Sequence, residues 1–443
     1  MHDIDARYVK RSLPIVLAAI AIACGTSDEG RRSTPESGGR AVPESARTGE
    51  SSADETQTGD ETLDDGAQDA SDFGDGDASA NDAVAPGASA SADSDGDRLP
   101  DSVETNTRVF RGQNDTGTDP RNWDSDGDGI SDGDEVLVTA RGLDLAKMGT
   151  NPLHRDILIE YDWFDDGSEC DPHSHRPTPA ALNKVTAMFA RSPGRNPDGS
   201  TGIKVIHDYG QGGLFTGGNR IASDDVVLDD GVSGSEFANH RARHFASNRQ
   251  GYFHYALMSH RYTYRDGDTV YDDSSGQAQI RGGDLIVSLY CYGSEDNVAG
   301  TIAHELGHNL ALLHGGDSDI NFKPNYNSVM NYAYQFDGID IDCKPPGDHV
   351  LDYSSRRRPS LDESALDERR GICGDPAIDW NGNEEIEAQI SQDINFDQSI
   401  GVLTDFDDWA AIVLDWHGPL SNLKKRGEVE TRIATCDSRP PSR

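Results

Sequence analysis

The hydrophobic pattern after residue 153 predicts a domain of mixed α and β structure. Four short apolar runs, each bounded by Gly, Asp or other turn residues, predict strands at 154–164, 201–210, 251–262 and 284–293. Between the first two lies a predicted helix, 178–192, which a Thr cap and a proline open. A strand, a helix and a second strand in this order favour a crossover onto a parallel sheet.

Residues 298–314, VAGTIAHELGHNLALLH, predict a helix with two different faces. Apolar residues recur every four positions and are typical of a face that packs on a core: Ile302, Leu306 and Leu310. His304 and His308 have the same spacing on a face about 160° away. One face therefore suits the core while the other presents imidazoles. A further amphipathic helix is predicted at 405–416, near the C-terminal end of the chain.

The first 23 residues predict export. Basic residues precede the apolar run LPIVLAAIAIA, which spans only about half of a bilayer core and so reads as a signal peptide rather than a transmembrane helix. Cys24 follows directly, and the segment resembles the lipobox of bacterial lipoproteins, which implies acylation of Cys24. Ordinary signal-peptidase cleavage at the same bond, giving a secreted protein, stays open. If Cys24 is acylated, the expected location is the bacterial cell envelope (outer membrane or surface).

Composition excludes one class of function and defines a linker. The formal charge of −40 argues against a nucleic-acid binder, which needs a basic face. Fifteen acidic residues and no Lys or Arg lie between Arg47 and Arg98, among Ser, Gly, Ala and Thr. Such a segment cannot bury enough apolar surface to offset the entropy of ordering, so residues 24–92 are predicted to be a disordered acidic tether.

Export places the cysteines in an oxidising compartment. Five remain beyond Cys24: Cys170, Cys291, Cys343, Cys373 and Cys436. The simplest count is two disulfides and one free thiol, with Cys291 in the apolar run LIVSLYCYG as the buried spare.

Two acidic stretches, 93–104 and 124–135, predict calcium loops within a segment 93–151. Carboxylates at positions 1, 3 and 5 of a tight loop converge on a hard cation, and a terminal Glu adds further oxygens. The predicted ligands are Asp93, Asp95, Asp97, Asp101 and Glu104, then Asp124, Asp126, Asp128, Asp132 and Glu135. The duplication resembles thrombospondin type 3 repeats, although Arg98 occupies a glycine position of the first copy, which predicts a weaker site there. Without calcium the segment should be loose. Solvated acidic turns are the alternative, and Asp379, Asn381 and Asn383 form one further candidate loop.

HELGHNLALLH, residues 304–314, predicts a metal site. Neutral imidazole nitrogens suit zinc, and Glu305 can act on a metal-bound water without ligating the ion. In a straight helix His314 would lie about 15 Å from His304, so the chain must turn back before it can bind the same ion.

The stretch resembles HExxHxxGxxH, the signature of the metzincin metalloproteases, with Ala311 at the glycine position. A left-handed alanine there would cost about 1 kcal/mol, or the turn could shift to Gly315 and Gly316. Residues 328–332, Ser-Val-Met-Asn-Tyr, are similar to the metzincin Met-turn. The resemblance implies that Met330 lies under the zinc ligands and that Tyr332 stabilises the oxyanion; ordinary core packing is the alternative for both.

The resemblance implies an α+β, two-lobed zinc endopeptidase domain over residues 152–436, followed by a tail at 437–443. A mixed twisted sheet with the active-site helix would form the upper lobe, and mostly irregular or helical structure the lower lobe. Zinc held by His304, His308 and His314 would act with Glu305 on protein or peptide substrates. Two alternatives remain at this point: a calcium-stiffened surface adhesion or binding lipoprotein with a non-catalytic zinc site, and a zinc hydrolase of a non-peptide bond.

Overall fold

The computed structural model describes residues 91–166, 171–222, 227–266, 269–271, 274–291, 293–343, 347–374, 376–416 and 432–437. The predicted signal peptide, Cys24, the predicted tether up to residue 90 and the tail beyond residue 437 lie outside these ranges. In the described part no helix is long and apolar enough to cross a membrane.

The described helices are α1 (Asp132–Val136), α2 (Leu145–Met148), α3 (Pro179–Phe189), α4 (Ser235–His244), α5 (Glu295–Asn309) and α6 (Asp408–Ala411). The strands are β1 (Asp156–Asp166), β2 (His173–Ser174), β3 (Lys204–Asp208), β4 (Arg220–Ile221), β5 (Val227–Leu228), β6 (Phe253–Ser259), β7 (Arg261–Tyr262), β8 (Tyr264–Asp266), β9 (Thr269–Tyr271), β10 (Ser274–Gln279), β11 (Asp284–Ser288), β12 (Leu361–Asp362), β13 (Val402–Leu403) and β14 (Ile433–Asp437).

One mixed sheet organises the fold, in the order β14-β10-β11-β6-β1-β2, with β3 and β4 also paired to β1. β3, β4 and β6 run parallel to β1, and β11 runs parallel to β6. β2, β10 and β14 supply antiparallel pairs. The parallel β1–β3 pair, with α3 between its strands in sequence, confirms the predicted crossover.

β1 separates two cores because its side chains alternate between the faces of the sheet. Ile157, Ile159, Tyr161 and Trp163 join α3 and α5 in the larger core. Leu158 and Phe164 face a second core that includes Phe237 of α4. The side that carries α5 is the side on which the candidate site is built.

Two predictions are wrong. The helix expected at 405–416 is a single turn, α6, because Ile412 leaves helical geometry and the Val413 N–H donates to the Leu310 carbonyl at 3.0 Å. Cys291 is disulfide-bonded rather than a free buried thiol. β11 ends at Ser288, so Cys291 lies in an exposed turn beyond the strand. A second disulfide joins Cys343 and Cys373.

Candidate metal centre

α5 carries two of the three predicted ligands inside the protein. The helix begins after Ser294, whose side chain accepts the Asn297 N–H at 3.1 Å. His304 and His308 are fully buried, as are the core-facing Ile302, Leu306 and Leu310. Both faces of this helix are therefore buried, and the imidazoles face an interior site.

The end of α5 brings in the third histidine. The Ala311 N–H donates to His308 O and the Leu312 N–H to Gly307 O, both at 2.9 Å, which is the Schellman pattern. Ala311 has φ 79°, so the residue at the expected glycine position is itself left-handed. After this reversal the His314 ring centroid lies 5.4 Å from that of His304 and 4.8 Å from that of His308.

Hydrogen bonds to carbonyl groups fix which ring nitrogens face one another. His304 Nδ1–H donates to Val329 O at 2.7 Å, and His308 Nδ1–H donates to Leu312 O at 2.8 Å. A neutral imidazole that donates from Nδ1 presents a lone pair at Nε2. The two Nε2 atoms are 3.2 Å apart. Lone pairs this close repel unless they share a cation, so the donor set fits a metal ion.

The electrostatics keep these histidines neutral, which is the form that binds metal. Burial lowers the pKa of His308 to about 4. Burial, and secondarily the neighbouring imidazoles, lower the pKa values of His304 and His314 well below the ordinary value. One nitrogen from each of the three lies within 4.8 Å of the others.

Glu305 lies beside the cluster, packed over β10. It is fully buried, and an ideal Cβ added at Gly276 would lie 2.2 Å from Glu305 Oε1. The glycine therefore makes room for the carboxylate, at a point where the register of β10 against β14 shifts. Gly276 did not stand out in the sequence because nothing around it forms a motif.

Met330 packs directly under the histidine-bearing turns of α5. It is fully buried, and an ideal Cβ at Gly307 would lie 2.3 Å from Met330 Sδ. Val329 connects the segment 328–332 to the histidines, because its carbonyl oxygen accepts the hydrogen bond from His304 Nδ1–H. The Met-turn itself stays a prediction from the resemblance.

Tyr332 lies against the same histidines. Its ring centroid is 4.5 Å from that of His314 and 5.6 Å from that of His304. The Tyr332 N–H donates to Asn321 Oδ1 at 3.1 Å, which fixes the backbone beside the cluster.

The predicted calcium ligands also converge. Oxygens within 4.8 Å of one another are contributed by three groups: Asp93, Asp95 and Asp97; Asp124, Asp126 and Asp128; and Asp97, Glu104 and Asp132. The third group joins the two loops. Asp101 has a structural contact instead: its carboxylate accepts the N–H and the hydroxyl of Ser94, each at 2.8 Å. Asp132 holds Ser125 in the same way.

These carboxyl groups are costly to ionise as they stand. Burial is the largest cause, and it raises the pKa of Asp97 to about 6, of Glu104 to about 7 and of Asp132 to about 8. Burial and neighbouring carboxylates raise those of Asp126, Asp128 and Glu135 well above the ordinary value. A bound cation would offset both effects.

Asp156 joins the second loop, although its position at the start of β1 separates it from the motif. Its N–H donates to Asp128 Oδ2 at 2.7 Å. Burial raises the Asp156 pKa to about 7. Beside it, Glu135 is 1% exposed, and its carboxyl group contacts that of Asp156. The acidic loop is thereby linked to the first strand of the sheet.

One backbone pattern recurs in four acidic loops of the described residues. The first carboxylate accepts the N–H groups three and five residues later, and both of these residues are left-handed. The first residues of the loops are Asp93, Asp124, Asp379 and Asp393. Arg98 has φ 85°, where the second copy has Gly129. The loop at Asp393 could not be predicted from the sequence, because Phe396 and Gln398 occupy the positions where glycines would indicate a turn.

No family model matches the chain, and no curated protein does. Among solved structures, archaemetzincin from Methanopyrus kandleri is similar at 15% sequence identity and a TM-score of 0.23, covering 41% of this chain and 83% of that chain. A likeness at this TM-score supports no statement about the function of this chain.

Proposed function

We propose that the protein is a zinc-dependent endopeptidase. The observation that carries the proposal is the pair of Nε2 atoms in His304 and His308, 3.2 Å apart with both Nδ1 atoms bound to carbonyls. His314 completes a set of three neutral donors, and Glu305 is adjacent in sequence and buried with them. A structural zinc site needs no such carboxylate.

Zinc bound by the three histidines would supply Lewis acidity, both to a water molecule and to the carbonyl of the scissile peptide. Glu305 then takes a proton from the attacking water at a carboxylate oxygen and delivers it to the leaving amine. Val329 and Leu312 hold the ligand rings in the required tautomer through their carbonyls. The Tyr332 hydroxyl would donate a hydrogen bond to the oxyanion, and Met330 would support the histidine-bearing helix from below.

Calcium is the second metal that we propose, for the loops at 93–104 and 124–135. Its support is the contact between the buried carboxyl groups of Glu135 and Asp156, and the link from Asp128 to Asp156. Calcium would thereby stiffen the start of β1. A calcium loop at Asp379 remains a prediction.

The cellular setting is proposed from the sequence. The signal-like first 23 residues favour an exported protein, either attached to the membrane through a lipid on Cys24 or secreted. Its partners would be protein or peptide substrates, in keeping with the acidic charge of −40, which argues against nucleic acid.

The test is cleavage of a mixed protein substrate by the full chain with zinc and calcium, with products read by mass spectrometry. Glu305→Ala is the test variant, and Glu295→Ala in the exposed first turn of α5 is its control. New peptides from the parent and from Glu295→Ala, but not from Glu305→Ala, are expected.

Zinc content measured on the same samples separates the alternatives. Zinc bound at His304, His308 and His314, with no cleavage by any variant, would favour the calcium-stiffened binding protein. Loss of cleavage in both variants would point to a folding defect rather than to chemistry at Glu305, and circular dichroism would detect it.

A further inference from the structure

A second group of three histidines lies apart from those on α5. It consists of His173, His175 and His260, and one ring nitrogen from each lies within 4.8 Å of the others. Two of them sit in a His-x-His spacing, and the third comes from a distant part of the chain.

The sheet brings these residues together. β2 folds back antiparallel to the end of β1, with His173 opposite Asp166. The His175 N–H donates to Phe164 O at 3.0 Å, which extends the pairing by one residue. Alternate residues of an extended chain share a face, so both imidazoles stand on one side. β6 is the parallel neighbour of β1, and His260 directly follows its last residue at the same edge.

One ring nitrogen of the group has no hydrogen-bond partner among the described residues, and the rings of the other two histidines lie close together. His173 Nδ1–H donates to Asp171 O at 2.9 Å, which leaves the lone pair on Nε2. That Nε2 atom is buried, and within the described residues it has no hydrogen-bond partner. His175 Nε2 and His260 Nδ1 are 3.4 Å apart. The three ring centroids are 4.6, 5.4 and 5.9 Å from one another.

We propose that His173, His175 and His260 bind one divalent transition-metal ion, of which zinc is the reference case. Imidazole nitrogens suit zinc, copper and nickel better than calcium or magnesium. His260 is fully buried, whereas the two hairpin histidines are partly exposed, so an ion could enter from the hairpin side. Bound metal fastens the β1–β2 hairpin to the end of β6. This site does not depend on the proposed peptidase activity.

The experiment measures zinc per chain. The full chain is stripped of metal, incubated with excess zinc in the presence of millimolar calcium to occupy carboxylate loops, freed of unbound ions and analysed by inductively coupled plasma mass spectrometry. We expect two zinc ions in the parent. We expect one in the double variant His304→Ala/His308→Ala, and none when His175→Ala is added.

Controls separate a lost site from a lost fold. His349→Ala removes an exposed histidine and should leave two zinc ions bound. His173→Ala should also abolish zinc binding at this site. Because the His173 side chain is partly exposed, the substitution disturbs the fold less, and circular dichroism checks the folding. Cobalt absorption in the double variant reports nitrogen ligation directly.

Each outcome has one meaning. Absence of zinc from the double variant overturns the second site, and so does full retention of zinc after His175→Ala and His173→Ala. One zinc in the parent that survives His304→Ala/His308→Ala would instead leave the second site standing and remove the basis of the proposed peptidase.

Discussion

The contact between Gly307 and Met330 can be tested by adding one methyl group. A Cβ at Gly307 would lie 2.3 Å from Met330 Sδ and 2.9 Å from the Tyr353 hydroxyl oxygen. Alanine is more favourable than glycine inside a helix by about 1 kcal/mol, whereas overpacking a filled core costs about 1 to 3 kcal/mol. Gly307→Ala should therefore lower the free energy of unfolding by up to about 2 kcal/mol.

A double-mutant cycle isolates the contact from these opposing effects. Met330→Ala alone removes a fully buried side chain, at a cost of about 2 to 5 kcal/mol. In the Gly307→Ala background Met330 is already displaced and the new methyl fills part of the vacated space. The second substitution should then cost at least about 0.5 kcal/mol less than it does alone.

Urea unfolding at equilibrium, with zinc present throughout, measures all four proteins. Gly293→Ala is the control, because no atom of the described residues lies within 4 Å of a Cβ added there. Additivity within the error of the fits would refute the reasoning, since it would mean that the methyl group and the Met330 sulfur do not compete for space.

The other predictions concern single groups. Ala311→Gly should raise the free energy of unfolding by up to about 1 kcal/mol, since relief of the left-handed strain exceeds the added chain entropy; a loss would argue against a left-handed residue 311. Tyr332→Phe should lower kcat about 100-fold at constant zinc content, and an unchanged kcat would restrict Tyr332 to packing. Calcium should raise the Tm of the parent, and that of Glu135→Gln much less; equal rises would remove Glu135 from the site. Burial lowers the pKa of His254 to about 4, so its contribution to stability is complete above about pH 6.5 and is lost as the pH falls towards 4. His254→Gln should flatten this pH dependence of the free energy of unfolding, and an identical slope would contradict the assignment.

The spacing of residues along the chain predicted those features that depend on contacts between residues near one another in sequence. The helix that carries His304 and His308, the reversal before His314 and the β1–α3–β3 crossover each follow from residues close together in the chain. What escaped prediction depends on distant contacts. Asp156 reaches the acidic loop only through the fold, and the helix expected at 405–416 stops where Val413 bonds to Leu310. Gly276 matters only because Glu305 lies over it.

The left-handed Ala311 bears on how relatives of this chain can be found. A sequence pattern that requires glycine seven residues after the first histidine would reject it, yet its backbone makes the same reversal with φ 79°. That position requires a positive φ angle, and glycine is the residue that adopts this angle at the lowest cost in free energy. A search that scores backbone geometry, or that also accepts alanine, asparagine and aspartate there, would retain sequences that the strict pattern discards.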